Sequence, residues 1–301
     1  MKVETHYTVS DLYKSLELPL TQWMDFTIHF LPTFHQKLPF YSGIFRSDYF
    51  SFIFIKNGSG IYTVDDQEFV VEPNTIYFTN PGHLKSFRID TCEDAYLITF
   101  SENFLRENIH PTIFDEFPFL LAEIIPPSTF SPKEFASFER IYLTLFSEFQ
   151  ENSELAEKII GNLFISLLLK CKEKAWKSDQ FKNSNDSTIL GHFKKLLEFE
   201  FKKVIDPKQS YVPLNVQDYA SKLNLHPNYF NTVIKNKSGK TANDWIRERT
   251  LSAAKSLLKN TALNSKEIAF QLGFSEQTHF SRFFKREHGC SPSDYKKQKG
   301  V

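Results

Sequence analysis

The sequence predicts an α+β protein of two domains: an N-terminal β-barrel or sandwich with a helical hairpin, then an all-α C-terminal domain carrying a duplicated helical unit. Three observations predict it. Short runs rich in β-branched and aromatic residues crowd positions 50–100, a helical apolar period begins at Ser131, and two segments near the C-terminus repeat one another.

The β-rich runs are FSFIFI, GIYTV, EFVV, TIYFT, LKSFRI and AYLITF, separated by KNGSG, DDQ, EPN, NPGH and DTCED, which read as turns. Even spacing of short strands points to a sandwich or small barrel. The stretch from Trp23 to Arg46 is expected to add strands, interrupted by Pro32 and Pro39. At Ser131 the pattern changes. Ser131 can cap a helix, Pro132 suits its first position, and Glu134 can complete a capping box. Phe135, Phe138, Tyr142, Leu145, Phe146 and Phe149 then follow at helical spacing. A second helix carries Leu155, Ile159, Ile160, Leu163, Phe164, Leu167 and Leu168. A turn as short as Glu151-Asn152-Ser153 makes the two helices antiparallel neighbours. Their wide apolar stripes suit either packing onto the β domain or a homodimer interface. Lys172–Ser187 reads as a helix end and a polar linker. The expected domains are therefore 1–125 (β domain), 130–177 (hairpin), 178–188 (linker) and 189–298 (helical domain).

Composition narrows the function. At 41% hydrophobic and 24% charged residues the chain can bury a core and is no disordered segment. Its formal charge of zero hides a division. From Thr188 onward there are 20 Lys and Arg against 10 Asp and Glu, a net of +10; the 16 basic and 26 acidic residues before it leave −10. Only the C-terminal part suits a polyanion. Cys92, Cys171 and Cys290 are far apart and in no metal-ligand spacing, which fits a reducing cytoplasm. The N-terminus lacks the apolar core of a secretory signal, and Ile159–Leu169 is too short to span a bilayer, so no membrane association is expected.

The repeat carries the function. Ala220, Asn224, Leu225, Phe230, Ile234, Lys235, Gly239, Asp244 and Trp245 in one segment match Ala269, Gly273, Phe274, Phe280, Phe284, Lys285, Gly289, Asp294 and Tyr295 in the other. Each segment reads as a helix-turn-helix, at about 215–238 and 265–288. Small Ala220 and Ala269 allow the two helices to cross closely, and Asn224 and Gly273 tolerate the positive φ of a tight turn. Leu225 and Phe274 plug the interhelical angle, and Gly239 and Gly289 cap the second helices. Helical phase then leaves Asn228, Asn231, Thr232 and Lys235 on the open face of the first unit, and Gln277, Thr278, Ser281, Arg282 and Lys285 on that of the second. Asn and Gln pair with adenine, Arg with guanine, and Lys holds phosphate. His226 and His279 flank the helices as structural residues or weak phosphate contacts. A single helix from Trp245, with apolar positions at 246, 250–251, 254 and 257–258, would join the units, so that one chain reads two major-groove segments about 34 Å apart.

These residues resemble the AraC/XylS family of transcription regulators. Ile268-Ala269 with Gly273-Phe274, Phe280-Ser-Arg-Phe-Phe-Lys-Arg, Gly289, Ser291-Pro292 and Tyr295 carry the resemblance, which covers about residues 190–298. Asn224 stands where glycine is common, and Ile234 where phenylalanine is common. The resemblance implies base contacts at Asn228, Asn231, Thr232, Gln277, Thr278 and Arg282, and RNA polymerase as a partner. It also implies that the N-terminal domain is a cupin-like sensor of a small molecule, followed by a helical dimerisation hairpin. Gly60-Ile-Tyr-Thr-Val-Asp, Phe69-Val-Val-Glu-Pro-Asn and Asn80-Pro81-Gly82-His83 look like that barrel. His83 lacks the His-x-His partner of a catalytic cupin, so neither metal nor cofactor is expected.

The leading expectation is a sequence-specific, small-molecule-responsive regulator, an activator, in which ligand binding alters domain packing and so DNA affinity. One alternative is an effector-independent regulator that uses its N-terminal region for dimerisation or partner binding. A cupin-type or DNA-repair enzyme fused to the DNA-binding module is the other. No catalytic residue is assigned: no Ser-His-Asp elbow or phosphate loop occurs, and Cys92 lies among Asp90, Glu93 and Asp94, which oppose its thiolate.

Overall fold

Alternation along the strands divides the N-terminal sheet into two faces. Phe50, Phe52 and Phe54 point to one side, Ser51, Ile53 and Ile55 to the other. In this computed structural model the described residues are 4–6, 8–15, 25–35, 37–110, 113–122, 124–151, 153–176, 189–205 and 213–299. Trp23 and the expected linker, 178–188, lie outside them. The chain divides into two compact units, Met1–Ser184 and Asn185–Val301.

Among the described residues of the first unit, nine strands make one sheet: β1 (Glu4–His6), β2 (Phe26–Phe30), β3 (Phe40–Tyr41), β4 (Phe45–Ser47), β5 (Phe50–Val64), β6 (Gln67–Val71), β7 (Thr75–Thr79), β8 (Leu84–Phe100) and β9 (Ser128–Thr129). The long β5 and β8 pair antiparallel along their whole length. Their halves belong to different layers: 50–55 and 95–100 with β2 and β7, 60–64 and 84–89 with β3, β4 and β6. Two segments expected as turns, KNGSG and DTCED, are instead continuous bulged strand, with register shifts at Ile55/Asn57, Asn57/Gly58 and Ser59/Gly60. Glycine makes the bend: a Cβ on Gly60 would come within 2.1 Å of the Arg88 carbonyl oxygen. DDQ, EPN and NPGH are turns, with positive φ at Asp65, Asn74 and Gly82.

Helices α1 (Val9–Ser15), α2 (Glu102–Asn108) and α3 (Ile113–Glu116) interrupt what the sequence suggested was a purely β domain. Their apolar faces are short, one or two turns each, so no helical period builds up. The hairpin is α4 (Pro132–Glu151) and α5 (Ala156–Lys174). Ser131 and Glu134 form the reciprocal cap, the Ser131 hydroxyl donating to Glu134 at 2.6 Å and accepting from its N–H at 3.4 Å. Phe135, Phe138, Tyr142, Ile160, Phe164 and Leu167 are buried in one core with Phe52, Phe54 and Phe100. Trp176, just past α5 in the stretch read as polar, is also part of that core, stacked 5.8 Å from Phe52. Leu143, Leu155, Ile159 and Leu169 remain exposed.

The second unit is helical: α6 (Ile189–Ile205), α7 (Val216–Lys222), α8 (Pro227–Ser238), α9 (Ala242–Asn260), α10 (Ser265–Gln271), α11 (Gln277–His288) and α12 (Pro292–Lys299). Helix α9 touches the other six. It buries Ala253, Ala254, Leu257 and Leu258, whereas Ile246, Thr250 and Leu251, expected in its apolar stripe, are only half-buried.

Candidate nucleic-acid interface and ligand pocket

The duplication extends to individual hydrogen bonds. Asn215 accepts from the N–H groups of Gln217 and Asp218 at the start of α7; Asn264 accepts from Lys266 and Glu267 at the start of α10. Asp218 and Glu267 return the bond to the asparagine N–H, closing two capping boxes. The turns close identically, Leu225 N–H on the Ala220 carbonyl and Phe274 N–H on that of Ala269, both at 2.9 Å. Asn224 has φ +56° and Gly273 +82°, and Ala220 and Ala269 are fully buried. Gly239 and Gly289, at φ +79° and +93°, terminate α8 and α11.

Packing of α8 buries Phe230 and Ile234, with Val233 half-buried; α11 buries Phe280 and Phe284, with Phe283 half-buried. Opposite these lie the residues expected to face a groove. Asn228, Thr232, Lys235, Gln277, Thr278, Arg282 and Lys285 are exposed, whereas Asn231 and Ser281 are half-buried. Some are already engaged. The Asn231 side-chain oxygen accepts from Ala242 N–H at 3.0 Å, holding the start of α9. The Thr232 hydroxyl donates to the Asn228 carbonyl, and that of Thr278 to Glu276. His226 caps α8, its Nδ1 accepting from Asn228 N–H. Among the described residues no ion pair holds Lys235, Arg282 or Lys285. Tyr229, exposed on α8, is an aromatic on the same helix that periodicity did not single out, because it stands beside the buried Phe230.

Buried charges fix the scaffold. Arg249 on α9 donates from Nε to Glu198 on α6 at 3.0 Å, both buried. Glu200, 1% exposed, receives Lys203 of its own helix and Lys222 of α7. Lys222 thus ties the first helix-turn-helix to α6, and Arg249 ties α9 to it. The sequence marked that stretch only as part of the helical domain, because Glu198 and Glu200 meet Arg249 and Lys222 from distant positions in the chain.

The first unit holds a cavity of about 360 Å³ between the two layers of the sheet. Most of its wall is apolar and aromatic, with contributions from β2 to β8, the range found for small-molecule sites being roughly 300–1,000 Å³. His29 lies in the wall with Tyr13 hydrogen-bonded to its Nε2, and burial holds its imidazole down at about 4. His83 is buried, its Nδ1 2.8 Å from the Asp65 carboxylate. Among the described residues no three His, Cys, Asp or Glu side chains gather as metal ligands. The thiol of Cys92 is pushed up to about 11, first by burial and then by Glu93 and Asp94; the sequence had suggested only the second cause.

Two family models fit this arrangement: residues 46–159 match the AraC-like ligand binding domain, and residues 219–298 a helix-turn-helix domain. The chain belongs to the AraC/XylS family of transcription regulators. Its relatives in that family include the HTH-type transcriptional activator RhaS of Shigella dysenteriae serotype 1, 22% identical over 260 residues that cover 82% of this chain and 84% of that one. The Msm operon regulatory protein of Streptococcus mutans is 26% identical over 140 residues, 46% of this chain and 47% of that one. Among solved structures, ToxT of Vibrio cholerae aligns at 14% identity over 92% of this chain and all of that chain, with a TM-score of 0.36. As in this family, the chain is a DNA-binding regulator with a ligand-binding domain. No helix among the described residues is long and apolar enough to cross a membrane.

Proposed function

We propose that this regulator activates transcription from promoters it recognises through α8 and α11, and that a small molecule in the N-terminal cavity sets its affinity for them. The duplicated helix-turn-helix carries the reading: two equivalent recognition helices, both rooted on α9, suit two successive major-groove segments. We assign base contacts to Asn228, Gln277, Thr278 and Arg282 and phosphate contacts to Lys235 and Lys285, with Ser281, Thr232 and Asn231 at the edge of the face. The relatives' activator function favours activation, with RNA polymerase as the partner contacted at the promoter.

Footprinting of the full chain on its own upstream region tests this. Two adjacent protected patches about one helical turn apart are expected, each weakened when the corresponding recognition helix is substituted. Equal protection of unrelated DNA overturns sequence-specific recognition. A run-off transcription assay on the same fragment reads the sign, an increase being expected.

One surface favours a homodimer. Ile159 and Leu169 on α5 and Leu155 at its N-cap are spaced to share a face and are exposed, as is Leu143 on α4. Sedimentation should show a dimer, and Leu155→Glu with Leu169→Glu should shift it to monomer. A wild-type monomer at all concentrations up to about 100 μM, which would place any dimer Kd above that value, contradicts this.

A further inference from the structure

The cavity wall changes character along the strands. Thr27, Thr99, Ser51 and Thr79 are register partners across β2, β8, β5 and β7, so four hydroxyls form one row across the sheet, all buried. Thr27 and Thr99 bond each other at 2.6 Å. At the far end of the row Lys85, 2% exposed, donates to Thr79 at 3.0 Å and to Ser47 at 2.8 Å, joining the two layers. Because the Thr79 oxygen accepts from Lys85, its own proton is directed elsewhere. The Tyr62 hydroxyl lies beside Thr79 but outside hydrogen-bonding geometry, buried and without a partner, its ring stacked 4.7 Å from Tyr77. A buried hydroxyl left unpaired is costly, and a ligand acceptor would satisfy it.

The next positions on the same strand faces are Ile53, Tyr77 and Leu97, then Ile55 and Ala95, with Phe87 facing them from the other layer. One end of the cavity is therefore a cluster of O–H donors beside an ammonium, and most of the remaining wall is apolar, interrupted by groups such as His29, His35 and Arg88. A polyol fits this poorly, since most of its hydroxyls would lose water against a mainly apolar wall. A carboxylate on an apolar body fits both ends.

Resting on the reading of this domain as a ligand sensor, we propose that its ligand is a small hydrophobic monocarboxylic acid, its carboxylate received by Tyr62, Thr79, Ser51 and Lys85 and its body by the apolar wall. The volume of about 360 Å³ is more than twice the roughly 150 Å³ that holds a benzene ring, so one ring or a short branched chain with a carboxyl arm is the expected size.

Thermal shift and calorimetry of the full chain test the class, with 3-phenylpropanoate and hexanoate as probes, 3-phenylpropan-1-ol and hexan-1-ol as charge-free counterparts, and D-glucose and D-galactose as polyols. The acids are expected to raise the melting temperature and their alcohols to bind at least tenfold more weakly. Lys85→Met should abolish the preference for the acid. Tyr62→Phe, which removes only the unpaired hydroxyl and so keeps the fold, should weaken the acid roughly tenfold and leave the alcohol unchanged. Equal or tighter binding of alcohols or sugars overturns the acid class while leaving the sensor reading intact. Absence of binding by every probe overturns both, and sequence-specific footprinting, scored separately, shows whether DNA recognition survives.

Discussion

Asn231 and Arg282 occupy comparable faces of α8 and α11, yet their surroundings assign them different work. Asn231 holds the first N–H of α9, whereas Arg282 projects into solvent. Arg282→Ala is expected to cost about 1–3 kcal/mol of discrimination at a guanine and nothing in stability. Thr232→Ala should change little, because that hydroxyl is already turned back on its own helix. Asn231→Ala should lower the stability of the DNA-free protein by about 0.5–2 kcal/mol, as loss of a helix cap does, and weaken all sites alike. Urea unfolding beside competition binding on operator and mutated operator separates the three; equal, sequence-independent losses from Arg282→Ala and Thr232→Ala would contradict the assignment. In the other unit, His29 makes stability pH-dependent. Its imidazole titrates near 4 in the folded state against an ordinary 6.5, because burial disfavours the cation. Between these values the unfolded chain binds the extra proton, so the contribution is complete above about pH 6.5 and is lost as pH falls toward 4. The loss is on the order of 3 kcal/mol at most. Unfolding of the first unit at pH 7, 6 and 5 should show it, and His29→Gln should flatten the profile.

At the scale of elements, the two turns make the same bend with different residues. Gly273 sits at φ +82° with the Pro213 ring where a Cβ would be, 2.8 Å from Cδ, while Asn224 reaches φ +56° with a side chain present. Gly273→Ala should therefore destabilise the second helix-turn-helix by about 1–3 kcal/mol, and Asn224→Gly should stay within about 1 kcal/mol of wild type. Thermal unfolding followed by circular dichroism measures both, and a tolerated Gly273→Ala would refute the steric account. These units were legible in the sequence because each constraint is local: a small residue at the crossing, a turn residue four positions on, a glycine after the second helix. The hairpin was legible for the same reason, through the Ser131 and Glu134 cap and an unbroken helical period. The continuous β5 and β8 were not. Asn57, Gly58 and Asp94 look like turn residues, and only the partner strand bending with them makes them bulges. Trp176, the buried pair Arg249–Glu198 and the contact of exposed Lys222 with buried Glu200 were equally hidden, since their partners lie about 20 to 125 residues away. The base-reading face was legible as a set, but the engagement of Asn231 with Ala242 needed the third dimension.

Over the whole molecule the charges cancel, 36 against 36, but the cancellation is between segments and not between neighbours. With net +10 after position 187 and −10 before it, the long-range field differs in sign along the chain. Binding to DNA releases counterions only where a cation meets phosphate, so the salt dependence of affinity counts such contacts and ignores total charge. Lys235 and Lys285, in the last turns of α8 and α11, are exposed and suited to that role. Each substitution, Lys235→Ala or Lys285→Ala, should reduce the slope of log affinity against log salt by about 0.9 and weaken operator and unrelated DNA in parallel. Glu68→Gln with Glu72→Gln raises the net charge of the whole protein by two through exposed positions of the β domain. If contacts govern, this double variant leaves the slope unchanged while raising the association rate slightly at low salt. Titrations between 50 and 300 mM potassium chloride, followed by fluorescence anisotropy, give the slopes directly. A change in slope from the glutamate variant equal to that from either lysine variant would mean that the N-terminal domain's charge enters the bound state, and would overturn the confinement of DNA contacts to the helical unit.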